Sequence, residues 1–361
     1  MQRPTNTIIN YHNIPSFIST MASTLSFLVF VFGILASQLV VASSRPINEE
    51  NSMLEMHQQW MSRHGRVYKD EQEEGARFKI FKDNVDRINA FNSGADKGYK
   101  LSVNQFADLT NEEFRASRHN GYKRQSPSPG SEPFRYANET VALSAIDWRK
   151  KGAVTPVQDQ GACGSCWAFS AVTAMEGIYQ IKTGELLSLS KQELVDCDVN
   201  GEDEGCNGGY MNNAFEFIKH NKGLTTEANY PYVGQDGTCK SKKLHKPAAK
   251  ITGHEDVPRN NEKALLQAVA NQPVSVAIDA GGDDFQFYSS GVFNGKCGTM
   301  LDHGVTAVGY GTTSDGTKYW LVKNSWGTGW GDNGYIKMKR DVAAKEGLCG
   351  IAMNASYPIM D

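Results

Sequence analysis

The sequence lacks the features that mark several classes of protein. Its 361 residues carry a formal net charge of −3, so no basic excess points to nucleic acid or to an anionic membrane surface. It has no phosphate-binding loop of the Walker type, no paired CxxC motifs spaced for zinc and no internal repeat. Hydrophobic residues make up 40% and charged residues 21%, as in ordinary globular proteins, and the length allows two or more compact units.

Long apolar runs are also absent, except near the N-terminus. Residues 25–41 are predominantly apolar, and small residues follow at 42–44. This order predicts a secretory signal peptide over residues 1–44, with Met21 as an alternative start. A membrane anchor is the competing interpretation, but two polar residues interrupt the apolar run. The C-terminus carries no ER-retention signal of the Lys-Asp-Glu-Leu type.

The seven cysteines form an odd number. In an oxidising compartment six of them can pair, and one is left over. Six cysteines allow many connectivities, so the count alone does not choose the pairs. A free thiol in a secreted protein tends to be reactive, which directs attention to cysteine chemistry.

Residues 160–170 contain the parts of a thiol nucleophile. Cys166 lies at the start of a run, 165–175, that is typical of a buried helix after a glycine turn. A thiol attacks only as thiolate, and a helix N-terminus stabilises that negative charge. Gln160 lies six positions earlier, where its amide and the Cys166 backbone N–H can both donate to an oxyanion.

Two later motifs supply the partners of this thiol. His303, within an Asp-His-Gly sequence, can lower the thiol pKa as an imidazolium. Asn324, within Asn-Ser-Trp, can hold the imidazole in one tautomer. Each feature alone has an ordinary interpretation, as an inert buried cysteine, a core histidine or a turn. Together and in this order they predict nucleophilic attack on an amide.

This pattern resembles that of the papain and cathepsin cysteine proteases, and of their plant senescence-associated group in particular. Beyond Asp147 the resemblance covers essentially the whole chain. It implies an α+β, papain-like two-lobed fold over residues 141–361, with a helical left lobe and a barrel-like right lobe. Cys166 would come from one lobe, and His303 and Asn324 from the other. The implied activity is that of a cysteine endopeptidase that forms an acyl-enzyme thioester and needs no metal or organic cofactor.

Residues 53–92 carry apolar residues at helical spacing, which predicts an amphipathic helical hairpin. Six positions within them match the signature helix of cathepsin-L-type propeptides: Glu73, Arg77, Phe81, Asn84, Ile88 and Asn92. A second propeptide motif is matched by Asn104, Phe106 and Asp108, with Ser102 in place of its glycine.

The resemblance assigns residues 45–140 to an inhibitory propeptide that includes a linker rich in proline, glycine and serine. In the family such a propeptide runs through the substrate cleft in reverse and blocks it, so the chain is expected to be a zymogen. Acid is expected to loosen the propeptide by protonating its paired carboxylates. The mature chain would begin within residues 137–145.

A substrate cleft is implied as well. Gly208 and Gly209 match the family's glycine loop, where an extended peptide can pair as an added strand. The second subsite, which takes the residue preceding the one at the scissile bond, would be lined by Tyr210, Met211, Ala277, Leu301 and Asn354. Most of these are apolar or aromatic, so a hydrophobic residue is expected there. Asn354, at the floor, departs from the family pattern and could admit polar or larger side chains. The resemblance also places Asp302 and Trp326 among the residues of the cleft. In the family, the indole shields the contact between the residues that match His303 and Asn324.

The resemblance further implies three disulfides, Cys163–Cys206, Cys197–Cys239 and Cys297–Cys349, which leave Cys166 free. Glycosylation sequons begin at Asn138 and Asn354, the first of them expected to be lost with the propeptide. The expected partners are protein and peptide substrates, the chain's own propeptide and cystatin-type inhibitors, and the enzyme is expected to be a monomer that binds no nucleic acid. The vacuole, the lysosome and the cell exterior are all compatible destinations.

Two other functions on the same fold stay open at this point. A catalytically silent binding protein commonly lacks the nucleophile, whereas Cys166 is present here. A transpeptidase or peptide ligase would use the same acyl-enzyme, and the exclusion of water from the cleft would decide between transfer and hydrolysis.

Overall fold

The computed structural model describes residues 50–118, 121–122, 134–140, 144–199, 201–244 and 246–361. The predicted signal peptide lies outside these ranges. The chain divides into two compact units, residues 1–68 and 69–361. In the first unit, residues 50–64 form helix α1, on which the buried ring of Trp60 stacks with His57 at a centroid distance of 5.9 Å.

The second unit begins with an N-terminal segment, residues 69–122, whose main element is helix α2 (Glu71–Ser93). Asp70 caps α2 by accepting a hydrogen bond from Glu73 N, and acidic residues in the first turn favour the positive end of the helix dipole. The helix buries Phe81, Val85 and Ile88 along one face. Strand β1 (Tyr99–Leu101) and helix α3 (Asn111–Arg118) follow. The helical spacing of the sequence therefore predicted α2 correctly.

Signature side chains of α2 bind the part of the segment that follows. Asn84 Nδ2 donates to the carbonyl oxygens of Ala107 and Leu109 at 2.9 and 3.0 Å. Arg77 Nη1 lies 2.8 Å from Oε2 of Glu113 on α3. These contacts fold the chain back onto α2, which gives the motif positions a structural reason.

A helical layer follows, built from α4 (Cys166–Thr183), α5 (Lys191–Cys197) and α6 (Met211–His220). The first thirteen residues of α4 are all buried, as expected for a helix that packs against neighbours on every side. Ser190 caps α5 by accepting a hydrogen bond from Glu193 N at 3.0 Å.

The remaining strands and helices of the described ranges are β2 (Ile146–Asp147), β3 (Gly253–Asp256), α7 (Glu262–Asn271), β4 (Val274–Ile278), α8 (Asp283–Gln286), β5 (Tyr288–Phe293), β6 (His303–Thr312), β7 (Lys318–Lys323), β8 (Tyr335–Lys339) and β9 (Ala355–Ile359). Short 3₁₀ turns occur at Gly205–Asn207, Ser241–Lys243 and Leu348–Gly350. The strands form one sheet in the order β1-β5-β8-β7-β6-β4-β9-β3, with β2 paired to β6. All pairs are antiparallel except β5 with β8.

The centre of the sheet is apolar on both faces. Every residue of β4 is buried, and β6 is buried except for its last residue, so neither strand alternates buried with exposed positions. Runs rich in β-branched and aromatic residues at 273–278, 305–310, 319–323 and 335–338 predict strands, and all four are confirmed as β4, β6, β7 and β8. Helix α4 packs against β6, β9 and β4 and so joins the helical layer to the sheet.

The N-terminal segment supplies one edge of the sheet, because β1 pairs antiparallel with β5. Tyr99 lies opposite Gly291, whose φ is +84°. A Cβ atom at this glycine would lie only 2.3 Å from the carbonyl oxygen of Gly98, so a side chain here would separate the two strands.

Three disulfides join Cys163 to Cys206, Cys197 to Cys239 and Cys297 to Cys349, and Cys166 is free and buried. These are the pairs that the family resemblance implied. Each bridge closes a loop of more than 40 residues and typically contributes about 2–4 kcal/mol.

The predicted α+β class is therefore confirmed, with helices first and the strand-rich part second along the chain. Within the described ranges, no helix has the length and apolar character needed to cross a membrane.

Candidate active site

Cys166 is the first residue of α4 and has no exposed surface. The backbone nitrogen of Gly304 donates to its sulfur at 3.3 Å. Burial raises the pKa of the Cys166 thiol to about 12, although the Gly304 N–H acts in the opposite direction. Burial thus favours the protonated thiol, which is the inactive form of a thiol nucleophile.

His303 begins strand β6 and lies next to Gly304, so the strand carries the imidazole to the N-terminus of α4. Its Nε2 lies 2.7 Å from Oδ1 of Asn324. That oxygen also accepts the backbone N–H of Ser325 at 2.8 Å. With Nε2 held by the amide, Nδ1 is the ring nitrogen that can exchange a proton with a nucleophile.

Trp326 covers the histidine. The two rings stack with centroids 4.6 Å apart and an interplanar angle of 26°, and the indole is fully buried. Removing water from the contact between His303 and Asn324 strengthens that hydrogen bond, because the local dielectric is low. The position of Trp326 agrees with the shielding role that the sequence suggested.

Gln160 lies beside the nucleophile and is 1% exposed. Its Nε2 donates to the carbonyl oxygen of Cys163 at 2.9 Å, and its Oε1 accepts from Ser325 Oγ at 2.6 Å. An amide nitrogen has two hydrogens, and this bond to Cys163 uses one of them. These two hydrogen bonds fix the orientation of the Gln160 amide.

Sequence reasoning missed two residues that hold this glutamine. Ser325 fixes the amide oxygen, and the hydroxyl of Tyr232 donates to the Gln160 backbone carbonyl at 2.8 Å. Tyr232 Oη also lies 2.7 Å from Ser165 Oγ, at the residue before Cys166. The serine sits inside the Asn-Ser-Trp motif and could have been found there, whereas no sequence signal marks Tyr232.

The N-terminal segment lies directly over the sulfur. A Cβ atom on Gly121 would be 2.6 Å from Cys166 Sγ, so only glycine allows this approach. The Gly209 N–H donates to the Gly121 carbonyl at 3.3 Å, and Tyr122 pairs with Gly209 in a parallel bridge. The predicted glycine loop thus binds the backbone of residues 121–122, which close the cleft at this point.

The predicted second subsite is occupied by the side chain of Tyr122. Its ring is 6% exposed and meets the Tyr210 ring edge-on at 6.0 Å. Met211 and Ala277 belong to the same buried cluster, and Leu301 packs against it. The structure therefore places Tyr122 against Tyr210, and the other apolar side chains of the predicted subsite lie in or against the same buried cluster.

Asn354 also lies in this pocket, where its Nδ2 donates to Tyr122 Oη at 2.5 Å. A glycan on that nitrogen would displace the tyrosine, so the structure argues against the predicted glycosylation of Asn354 in this form. Asn138 is exposed, and its glycosylation stays a prediction. Asp302 binds the backbone N–H of Ala280 through Oδ1 at 2.9 Å and so anchors the end of β6 beside the pocket.

A second contact area lies at Trp326. Phe106 and Phe114 of the N-terminal segment meet the indole edge-on, with centroids 5.7 and 5.4 Å away. Gln105 Nε2 donates to the Trp326 carbonyl oxygen at 2.6 Å. The segment therefore touches both the nucleophile and the ring that shields the histidine.

Comparison with known proteins agrees with this geometry. Residues 142–359 match the family described as papain family cysteine protease, and residues 57–114 match the cathepsin propeptide inhibitor domain (I29). The senescence-specific cysteine protease SAG12 of Arabidopsis thaliana is 57% identical over 341 residues, which span 91% of this chain and 97% of the relative. Vignain of Ricinus communis is 57% identical over 321 residues, 87% of this chain and 88% of the relative. The crystal structure of the ragweed pollen allergen Amb a 11, a cysteine protease in its proform, superposes with a TM-score of 0.79 at 47% identity and covers 86% of this chain and 96% of that one.

The chain belongs to the papain family of cysteine proteases. It is a cysteine endopeptidase made as a zymogen, and its own N-terminal propeptide is its intramolecular inhibitor. The family, the fold and this general activity were predicted from the sequence and are confirmed.

Proposed function

We propose that Cys166 is the nucleophile of this endopeptidase and that His303 is its acid and base. Once the propeptide has left, solvent reaches the sulfur, and the helix N-terminus and an imidazolium favour the thiolate. The thiolate attacks the carbonyl carbon of a peptide bond, and the imidazolium gives its proton to the leaving amine. The acyl group remains on the sulfur as a thioester.

Hydrolysis of the thioester completes the cycle. His303 takes a proton from water, which attacks the thioester carbonyl, and the carboxyl product leaves as the thiolate and imidazolium re-form. Asn324 keeps the ring oriented through its 2.7 Å contact with Nε2. The amide of Gln160 and the backbone N–H of Cys166 stabilise the oxyanion in both steps.

One observation carries these assignments. The residue adjacent to His303 donates to the Cys166 sulfur at 3.3 Å, while Asn324 holds the far nitrogen of the same imidazole. Thiol and ring thus converge from different layers of the fold, which supports a role for both in one reaction.

The assignments are tested with the full zymogen and its Cys166→Ser variant. After acid treatment, mass spectrometry should show the wild-type chain shortened to the peptidase domain and labelled once by a peptidyl epoxide. The variant should stay at the length left by signal removal and take up no label. Labelling at another residue, or equal shortening of both proteins, would contradict the nucleophile assignment.

Activation by acid is part of the proposal. Arg87 of the N-terminal segment pairs with Asp283 at 3.0 Å and with Asp284 at 2.8 Å, and Tyr99 Oη donates to Asp284 at 2.7 Å. These contacts attach α2 and β1 to the peptidase domain, and their loss would free the N-terminal segment. Incubation across a pH series, followed by gel analysis of processing, tests this step.

A hydrophobic preference in the second subsite also belongs to the proposal. The aromatic occupant Tyr122 and the apolar side chains of Met211, Ala277 and Leu301 support it. Substrates with leucine or phenylalanine in that position should be cut faster than substrates with aspartate or lysine.

We further propose a signal peptide at 1–44, a propeptide with linker at 45–140 and a peptidase domain at 141–361. The three disulfides support an oxidising route through the secretory pathway, with the vacuole, the lysosome or the cell exterior as destination. Inhibition by cystatin-type proteins and a monomeric state follow from the family membership. N-terminal sequencing and mass spectrometry of the processed enzyme test the boundaries.

A further inference from the structure

The pocket around Tyr122 has apolar walls and a polar floor. Met211, Ala277 and Leu301 present no hydrogen-bonding side-chain atom to the occupant. At the far end, Asn354 Nδ2 donates to Tyr122 Oη at 2.5 Å. The polar contact therefore lies at the para position of the occupant's ring.

We propose that Asn354 reads a phenolic hydroxyl and makes tyrosine the favoured residue in the second subsite of substrates. This inference rests on the proposed function, because it concerns the same cleft. A substrate crosses the cleft in the direction opposite to the propeptide, so only the occupancy of the pocket carries over from Tyr122, not its backbone pairing. Burial raises the pKa of the Tyr122 hydroxyl well above its usual range, so a tyrosine in this pocket stays neutral and can accept from the amide.

The preference for tyrosine arises because other side chains leave the Asn354 amide without a partner or part of the pocket empty. Phenylalanine fills the same space but lacks Oη, so the half-buried amide of Asn354 loses its protein or substrate partner when water is displaced. Leucine ends short of the floor and leaves space as well. Discrimination should therefore follow the order tyrosine, phenylalanine, leucine, because a site built to bind a hydroxyl rejects analogues without one.

The test is a comparison of three fluorogenic peptides that differ only in the second-subsite residue, cut by the acid-matured enzyme. We expect kcat/KM for tyrosine to exceed that for phenylalanine by about fivefold to tenfold, the range that one net hydrogen bond supplies. Asn354→Leu retains a similar volume without the amide. In this variant the ratio of kcat/KM for the tyrosine peptide to kcat/KM for the phenylalanine peptide should fall to about one or below. Relative to the tyrosine peptide, the leucine and phenylalanine peptides should be cut at least as well as they are by the wild type.

The outcomes separate this inference from the proposed function. Cleavage of all three peptides with equal tyrosine and phenylalanine rates in the wild type would overturn the role of Asn354 and leave the peptidase assignment intact. A tyrosine preference that persists unchanged in Asn354→Leu would overturn it as well. Absence of cleavage of every peptide by an enzyme whose Cys166 accepts no epoxide label would overturn the proposed function and this inference with it.

Discussion

Oδ1 of Asp203 accepts a hydrogen bond from the backbone nitrogen of Tyr210 at 2.9 Å. Asp203 is 2% exposed, and the same oxygen accepts from Asn213 Nδ2 at 3.3 Å. A Cβ atom on Gly209 would lie 2.8 Å from it. This carboxylate thus holds the glycine loop in place. The loop pairs with the propeptide and, by our proposal, with substrates.

We expect Asp203→Ala to raise KM about fivefold, since one hydrogen bond that positions the loop is lost. The value of kcat should change little, because the Asp203 hydrogen bond positions the loop that pairs with the substrate and not the reacting side chains. Asp203→Asn is the matched control, because its amide oxygen can still accept from Tyr210. Steady-state kinetics on one peptide substrate measures both effects, and an equal rise of KM in the two variants would contradict a positioning role for the oxygen.

Two buried carboxyls should make the folded enzyme less stable as the pH rises from acid values to about 8. Burial raises the pKa of Glu193 to about 7, although hydrogen bonds from Thr225 N at 2.7 Å and Asn221 Nδ2 at 2.8 Å oppose the shift. Burial and the charge of Asp203 raise the pKa of Asp198 to about 8. Between the unfolded pKa near 4 and these values, the native state holds protons that the unfolded state has released, so stability falls as pH rises.

The melting temperature should therefore decrease as the pH rises from about 4.5 to about 8, and the part due to Glu193 should be complete near pH 7. Below about pH 6.5 His254 acts the other way, because burial lowers its pKa. Glu193→Gln, which cannot ionise, should flatten the decrease, and calorimetry on the active-site variant Cys166→Ser avoids self-digestion. Parallel pH curves for the two proteins would show that Glu193 does not titrate as described.

Processing should respond to the ion pair between Arg77 and Glu113, which lie 2.8 Å apart. Burial raises the pKa of Glu113, but hydrogen bonds from Arg77 and Thr110 outweigh it and lower the pKa overall. A depressed carboxyl pKa stabilises the fold above about pH 4 and loses this effect as pH falls through the folded value. Glu113→Gln lacks the pair at every pH and should process at a higher pH than wild type.

The control for Glu113→Gln is Asp86→Asn. Asp86 pairs with Lys82 at 3.3 Å on the exposed face of α2, where such a pair contributes little. Gel analysis over a pH series should show an upward shift of the processing midpoint for Glu113→Gln alone. An equal shift in both variants would point to a general effect of removing negative charge.

Phe114→Ala should weaken the inhibition of the zymogen. The ring is fully buried and packs edge-on against Trp326 at 5.4 Å, and truncation of a buried phenylalanine typically costs about 3–5 kcal/mol. We expect epoxide labelling of Cys166 in the uncleaved variant at neutral pH, where the wild type resists it. Val67→Ala, at a position that is 90% exposed, should label no faster than wild type.

Motif residues could be predicted because their chemistry repeats at fixed spacing. Arg77 and Asn84 lie on one face of a helix whose period the sequence reveals, and Cys166, His303 and Asn324 each have a role that few side chains can fill. By contrast, β1 spans only three residues, too few for a periodic signal, and it forms by pairing with β5. Its existence depends on a distant strand, so local sequence did not predict it.

The contact between Asn354 and Tyr122 illustrates the same limit within the site. The two residues are separated by 232 positions, and the tyrosine lies outside both propeptide motifs. The sequence placed Asn354 at the floor of a pocket without indicating what it binds. Only the path of residues 121–122 through the cleft brings the hydroxyl to the amide.

The position of Gly121 over Cys166 also affects the zymogen before it is activated. The conditions that form three cystine bridges would also convert an accessible thiol to sulfenic acid or to a mixed disulfide. Because no part of Cys166 meets solvent, dissolved oxidants cannot reach the sulfur while the lid of residues 121–122 is in place. The propeptide therefore protects the Cys166 thiol from oxidation as well as inhibiting the enzyme, and the thiol is still reduced when the propeptide is removed.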